Sequence, residues 1–301
     1  MYELAIIGAG PAAMSAAVYA ARYKMKVVMI GKLPGGYVNE AHLVENWLGE
    51  KSIPGPELVK KFTDHIASMA IDIKNSDVKA IAKQPNGSFK IITDGKEVEA
   101  ERLILAIGTE RNKLGIKGED EFLGKGVSYC VTCDAFFFRD RTVAVIGGSD
   151  SAVTGALMLA DIAKKVYLVY RGEALRAEPA WVHKIEANSK IEVVLKANPA
   201  EIKGETVVKE LVLDTDQTLA VDGVFVEIGT TPGKVIVSSL GVKTDDKGYI
   251  IVTDDQRTNA DKVWAAGDVT TKNNKLKQAI VAAGEGAVAT YGAYLDKKST
   301  N

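Results

Sequence analysis

The sequence is poor in the residues that build metal centres. Its 301 residues include only two cysteines and three histidines. His42, His65 and His183 are scattered, with no pair at metal-ligand spacing, so a closed zinc site lacks its four ligands. Charge of one sign is lacking too: 38 basic residues face 39 acidic ones, and nothing recommends nucleic acid or an anionic membrane as a partner. No run approaches the ~18 uninterrupted apolar residues of a membrane span. Met1 leads at once into YELAIIGAG, without the basic stretch and small-residue cleavage site of a signal peptide. The expectation is a cytoplasmic protein, where a C-x-x-C is more often catalytic or metal-binding than a permanent staple.

What is present is a globular balance, 47% hydrophobic and 26% charged, in a chain long enough for about two domains. One unit is written twice. AIIGAGPAAMSAAVYAA begins at Ala5 and AVIGGSDSAVTGALMLA at Ala144, an offset of 144 − 5 = 139. KVVMIGK and KVYLVYR match at the same offset, whereas LILAIGT (103–109) and VFVEIGT (224–230) lie 224 − 103 = 121 apart. Apolar strand, glycine turn, small-residue helix and second strand make a βαβ unit with a parallel sheet.

In the first copy Gly8, Gly10 and Ala13 fit the turn that brings a backbone against a pyrophosphate at a helix N-terminus. Ile30, Gly31 and Lys32 stand where a plain NAD site needs an acid, so this is not one. In the second copy Gly147 and Ala152 hold their places, but Ser149 replaces the middle glycine. That copy is either a working nucleotide site or a relic of one. Arg171 and Arg176 suit the 2′-phosphate of NADPH, whereas Glu173 between them suits the free hydroxyls of NADH. A solvated, charged helix start is the bland alternative.

Both cysteines fall in SYCVTCDAFF (128–137). A structural disulfide closing so short a ring would constrain little of the unfolded chain. The same ring keeps the second thiol in range to resolve a mixed disulfide, which favours redox chemistry. Asp134 is placed either to protonate a leaving thiolate or to cap a helix. AFFF (135–138) reads first as core, with a hydrophobic collar for a partner as the alternative.

With GAGPAA, VENW (44–47), CVTCD, GGSDSA and WAAGDV (264–269) in the expected order, the chain resembles the low-molecular-weight thioredoxin reductases from about residue 3 to 295. That resemblance implies an α/β fold of two Rossmann-like three-layer nucleotide-binding domains, the second inserted into the first. Residues 1–112 and 232–301 would bind FAD, and 113–231 would form the pyridine-nucleotide domain carrying the dithiol. It places Gly8, Gly10 and Ala13 on the FAD pyrophosphate and Gly36 and Asn46 along the flavin, with Tyr37 where the family commonly has glutamine. Gly267 and Asp268 would meet the ribityl chain, and Lys277, Gln278 and Ala279 would open a helix facing the flavin. Gly147, Ser149, Ala152, Arg171 and Arg176 would take NADP.

The family's GGG reads GGS, its H-R-R-x-x-x-R keeps Arg171 and Arg176 only, and its IG-x-x-PN ends in Gly233. The resemblance also implies a homodimer and a thioredoxin or glutaredoxin-like substrate. Cys133 would face the flavin, Cys130 would exchange with substrate, and the inserted domain would rotate about crossings near 112–115 and 230–233. The donor stays open between NADPH, NADH, ferredoxin and a deazaflavin. A dithiol oxidase and a non-catalytic flavin redox sensor are the other readings. The intact C-x-x-C-D beside an intact first fingerprint argues against the sensor.

Overall fold

The computed structural model describes residues 1–41, 43–69, 71–232, 239–272 and 276–300. His42 and Gly233, weighed above as a metal ligand and a crossing glycine, lie outside them. The chain divides into two compact units, one of Met1–Asn39, Val44–Glu110 and Thr231–Asn301, the other of Glu40–Leu43 and Arg111–Thr230.

The first unit begins β1 (Leu4–Ile7), α1 (Pro11–Arg22), β2 (Val27–Ile30), α2 (Gly55–Ala67) and β3 (Asp72–Lys74). An antiparallel meander follows, β4 (Val78–Lys83), β5 (Phe89–Thr93) and β6 (Glu97–Ala100), before β7 (Leu103–Leu105) and β8 (Thr109–Arg111). The second unit opens with β9 (Val127–Ser128) and the single turn α3 (Val131–Asp134), then β10 (Thr142–Ile146), α4 (Asp150–Ile162), β11 (Lys165–Tyr170), α5 (Pro179–Glu186) and β12 (Ile191–Leu195). Its own meander, β13 (Pro199–Gly204), β14 (Val208–Leu213) and β15 (Thr218–Ala220), precedes β16 (Gly223–Val226). After β17 (Thr230–Pro232), β18 (Val263–Ala265) and α6 (Ala279–Thr300) complete the first unit.

Each unit is built on a five-stranded parallel sheet, ordered β18-β7-β1-β2-β3 in the first and β12-β11-β10-β16-β9 in the second. The registers reproduce the sequence offsets. Ala5 pairs with Val28 and Leu103; Ala144 pairs with Tyr167 and Val224, which stand 167 − 28 = 139 and 224 − 103 = 121 residues further on.

Strands covered on both faces must be apolar throughout, and LAII, VVMI, LIL and GVFV are buried at every position. Alternate residues then serve two cores. Leu4, Ile6, Val27, Met29, Ile104 and Trp264 pack under the alanines of α1 and α6. Ala5, Ile7, Val28, Ile30, Leu103 and Leu105 face the meander residues Ile81, Phe89 and Ile91. Helices, parallel sheet and meander make three layers, and the second unit repeats them with α4 on one face and β13–β15 on the other.

The glycine turns hold the same place in both units. Gly8 N donates to Ile30 O (2.7 Å) and Gly147 N to Val169 O (3.0 Å). Their φ angles of 128° and 145° lie where side chains are strained. A Cβ at Gly8 would stand 2.0 Å from Ala106 O, and one at Gly147 would stand 2.3 Å from Glu227 O. In both, the turn lies against the chain leaving the neighbouring parallel strand, which is where open α/β sheets bind ligands.

Candidate active site

The first unit gathers the residues expected for a flavin dinucleotide. Gly10 caps α1 in extended backbone with nothing within 4 Å of a built Cβ, so open space lies before the helix. Ala13 is fully buried, as close helix–strand packing requires. Gly36 approaches Gly10, its built Cβ 3.5 Å from Gly10 Cα. Gly31, noted above only for not being an acid, has a positive reason to be glycine: a Cβ there would sit 2.6 Å from the carbonyl carbon of Gly8.

Asn46 Nδ2 donates to Gln278 Oε1 (3.0 Å), joining two expected flavin neighbours that lie far apart in sequence. Asp268 follows β18 across Gly267, whose φ is 83°. Burial raises the Asp268 carboxyl above its usual range, with the Lys277 ammonium opposing. Lys277 Nζ donates to Tyr249 Oη (2.6 Å), and Ala279 begins α6. A carboxylate at a strand end, an amide pair and a glycine-walled space fit the ribityl hydroxyls and pyrophosphate of FAD.

The sequence reading missed Glu285. It is buried on α6, accepts from Gly267 N (2.7 Å) and Thr270 Oγ1 (3.2 Å), and so fixes the turn that carries Asp268. A lone acid inside the small-residue run AAGEGA was the available signal.

In the second unit Cys130 and Cys133 form a disulfide with Cα atoms 5.3 Å apart. Two anchors set them. Ser128, at the end of β9, is held by β16. Val131 is buried against α4, where a Cβ at Gly155 would meet Val131 Cγ2 at 3.0 Å. Cys130, not Asp134, caps the short helix, its Sγ accepting from Cys133 N (3.2 Å). Asp134 makes no capping bond; Ser128 Oγ donates to its Oδ2 at 2.6 Å. Cys133 is exposed, and Cys130 and Asp134 are half-buried.

The core reading of AFFF is corrected. Residues Ala135–Phe138 form a 3₁₀ turn, in which side chains three apart eclipse. Ala135 and Phe138 therefore share the inner side, Phe138 packing edge-on against Phe225, while Phe136 and Phe137 are 65% and 81% exposed.

The second glycine turn fits a dinucleotide in shape and less well in charge. Ala152 is fully buried beneath Gly147, and Ser149 caps α4 without a side-chain bond. Asp150 places a carboxylate on the first residue of α4, tied to Glu178 N (2.7 Å), where a pyrophosphate would need positive potential. The ring of Tyr170 lies against both Gly148 and Gly172, and Arg176 N donates to Gly148 O (2.6 Å). Arg171 and Arg176 are exposed, and Glu173 pairs with Lys196 (2.8 Å).

Glu227 also escaped the sequence reading. It follows β16 beside Gly147, and burial pushes its carboxyl up to about 7, with Arg111 lowering it and Glu40 raising it further. Among the described residues no cluster of His, Cys, Asp and Glu could hold a metal ion, and no helix is long and apolar enough to cross a membrane.

A redox-ready cysteine pair beside a carboxyl, on a fold with two dinucleotide turns, defines a disulfide oxidoreductase. The family model for pyridine nucleotide-disulphide oxidoreductase matches residues 2–286. The chain is 36% identical over 297 residues to the thioredoxin reductase of Listeria monocytogenes, covering 96% of this chain and 92% of that one. Among solved structures it is similar to T. acidophilum thioredoxin reductase, with TM-score 0.93, 38% identity and 98% of each chain covered. It is also similar to a ferredoxin-flavin thioredoxin reductase from Clostridium acetobutylicum, with TM-score 0.54, 36% identity and 100% and 99% covered. The chain belongs to the pyridine nucleotide-disulphide oxidoreductases and, within them, to the thioredoxin reductases.

Proposed function

We propose that this chain is a thioredoxin-disulfide reductase with FAD in its first unit and the Cys130–Cys133 pair as its output. The observation that carries the reading is the disulfide itself, capped onto α3 with Asp134 one residue beyond it. A bound FAD would supply the electron pair that opens the disulfide. Gly8, Gly10 and Ala13 would hold its pyrophosphate, Asp268 its ribityl chain, and Gly36, Asn46, Lys277, Gln278 and Ala279 its flavin end. Cys130, whose sulfur accepts the Cys133 N–H, would be the attacking thiolate on the substrate disulfide, because that bond favours negative charge on sulfur. Cys133 would then resolve the mixed disulfide, and Asp134 would protonate the departing thiolate.

Exposed Phe136 and Phe137 suit a protein rather than a small substrate. Phe137 stands at a cleft of about 370 Å³ that Lys125, Asp134 and Lys209 also line. Ile280, Val288, Tyr291 and Leu295 form an exposed apolar stripe at helical spacing on α6, which suits a second copy of the chain. The test is reduction of thioredoxin by the reduced holoprotein, with Cys130→Ser as control. Reduction that persists in that variant would overturn the assignment.

For the donor, NADPH on Arg171 and Arg176 is the first reading. Ser149 for the middle glycine, and Gly172 for an arginine with the Tyr170 ring against it, favour a second, in which electrons arrive from a non-nicotinamide donor such as ferredoxin or a deazaflavin. Anaerobic mixing with NADPH and then NADH distinguishes them: bleaching of the flavin band by either coenzyme supports the first reading, and bleaching by dithionite alone supports the second.

A further inference from the structure

Ser128 is buried at 4% exposure, on a strand end fixed by β16, and every bond to its hydroxyl involves the redox segment. Its Oγ donates to Asp134 Oδ2 at 2.6 Å, accepts from Cys130 N at 3.0 Å, and lies 3.3 Å from Cys130 O. A serine hydroxyl has one proton and two acceptor sites. While Asp134 is a carboxylate, that proton belongs on Oδ2. When Asp134 is a carboxylic acid, its own O–H turns to Ser128 Oγ, and the serine proton has Cys130 O as its alternative acceptor. The Cys130 N–H is satisfied in both arrangements. Ser128 itself is buried, whereas Asp134 is half-buried and both border the cleft described above, so solvent protons reach the acid.

We propose that Ser128 is a positioning residue whose hydroxyl reverses its hydrogen bond to Asp134 with each proton cycle, keeping the acid aimed while it is charged and while it is neutral. The inference rests on the reading of Asp134 as the general acid. In the proton step the Asp134 O–H bond breaks, an S–H bond forms on the departing thiolate, and the negative charge passes from sulfur to carboxylate. Ser128 then donates to the new carboxylate. When Asp134 regains a proton from solvent, Ser128 becomes the acceptor and donates to Cys130 O. No electron moves in these steps.

The test needs no bound cofactor. The reduced chain is mixed with a small aromatic disulfide, and the exchange rate is followed from pH 4 to 9. Ser128→Ala leaves the acid unaimed in both forms, so the exchange rate should fall about tenfold on the limb that Asp134 supports. Ser128→Thr, which keeps a hydroxyl, should restore the limb. Asp134→Asn should abolish it, and Ser128→Ala in that background should change nothing further. If Ser128→Ala slows exchange on that limb less than about twofold while Asp134→Asn abolishes the limb, Ser128 has no such role and the acid stands. If Asp134→Asn keeps the limb, the acid assignment falls and the Ser128 proposal with it. Should the alanine variant not fold, the threonine variant decides: a wild-type limb supports the proposal, and a slowed one overturns it.

Discussion

Replacing Glu227 by glutamine isolates the cost of keeping a carboxyl at the end of β16. The group makes no side-chain hydrogen bond among the described residues, and burial pushes it from an ordinary 4.5 up to about 7. A raised acid binds its proton more tightly folded than unfolded. Folding therefore carries no penalty below about pH 4.5, an increasing one as pH rises, and a constant one above about 7. The full span, 7 − 4.5 = 2.5 units, corresponds to on the order of 3 kcal/mol, an upper figure because the side chain retains some exposure. Glu227→Gln should thus melt like the parent near pH 4.5 apart from a fixed offset for its buried amide. Its relative Tm should then climb by roughly 5 to 10 °C by pH 8. Thermal melts of both proteins across that range read the difference, and the offset cancels between pH values. A difference in Tm that stays flat with pH would refute the argument.

Three further outcomes follow from the geometry. Gly31→Ala drives a methyl into the Gly8 turn, so the purified protein should lose flavin, read as a fallen flavin-to-protein absorbance ratio; a full complement would contradict the close approach. Glu119 is 2% exposed and accepts from Leu114 N (2.7 Å), Gly115 N (2.7 Å) and Tyr129 Oη (2.6 Å). Glu119→Ala should therefore cost ~3 kcal/mol or more in denaturant unfolding, and a loss under ~1 would show that the three donors find other partners. Cys133→Ser should trap a mixed disulfide between Cys130 and thioredoxin on non-reducing gels, whereas trapping only by Cys130→Ser would reverse the two roles.

The duplicated architecture was legible because buried parallel strands cannot hide their composition. AIIG and AVIG, and LILAIGT and VFVEIGT, carry the pairing registers directly, and the glycine turns mark the ends of β1 and β10. The cysteine pair was legible as redox chemistry because no other ligands accompany it. Phe136 and Phe137 misled, since an apolar run says nothing of the 3₁₀ turn that points two of its three rings outward. Ser128, Glu227 and Glu285 were not legible as site residues. Each is one polar residue in an apolar or small-residue stretch, and its meaning comes from partners or burial set by other elements. Tyr170 likewise ends a strand whose apolar pattern says nothing of Gly148 and Gly172 lying against its ring.

A flavin-dependent disulfide reductase must store electrons in both its flavin and its dithiol, here the Cys130–Cys133 pair. Anaerobic reductive titration of the flavin-loaded protein with dithionite tests it most directly. The wild type should take up two electron pairs per chain, one for each centre, and Cys130→Ser should take up one. A wild type that is fully reduced by a single pair, with free thiols absent at the end point, would contradict it.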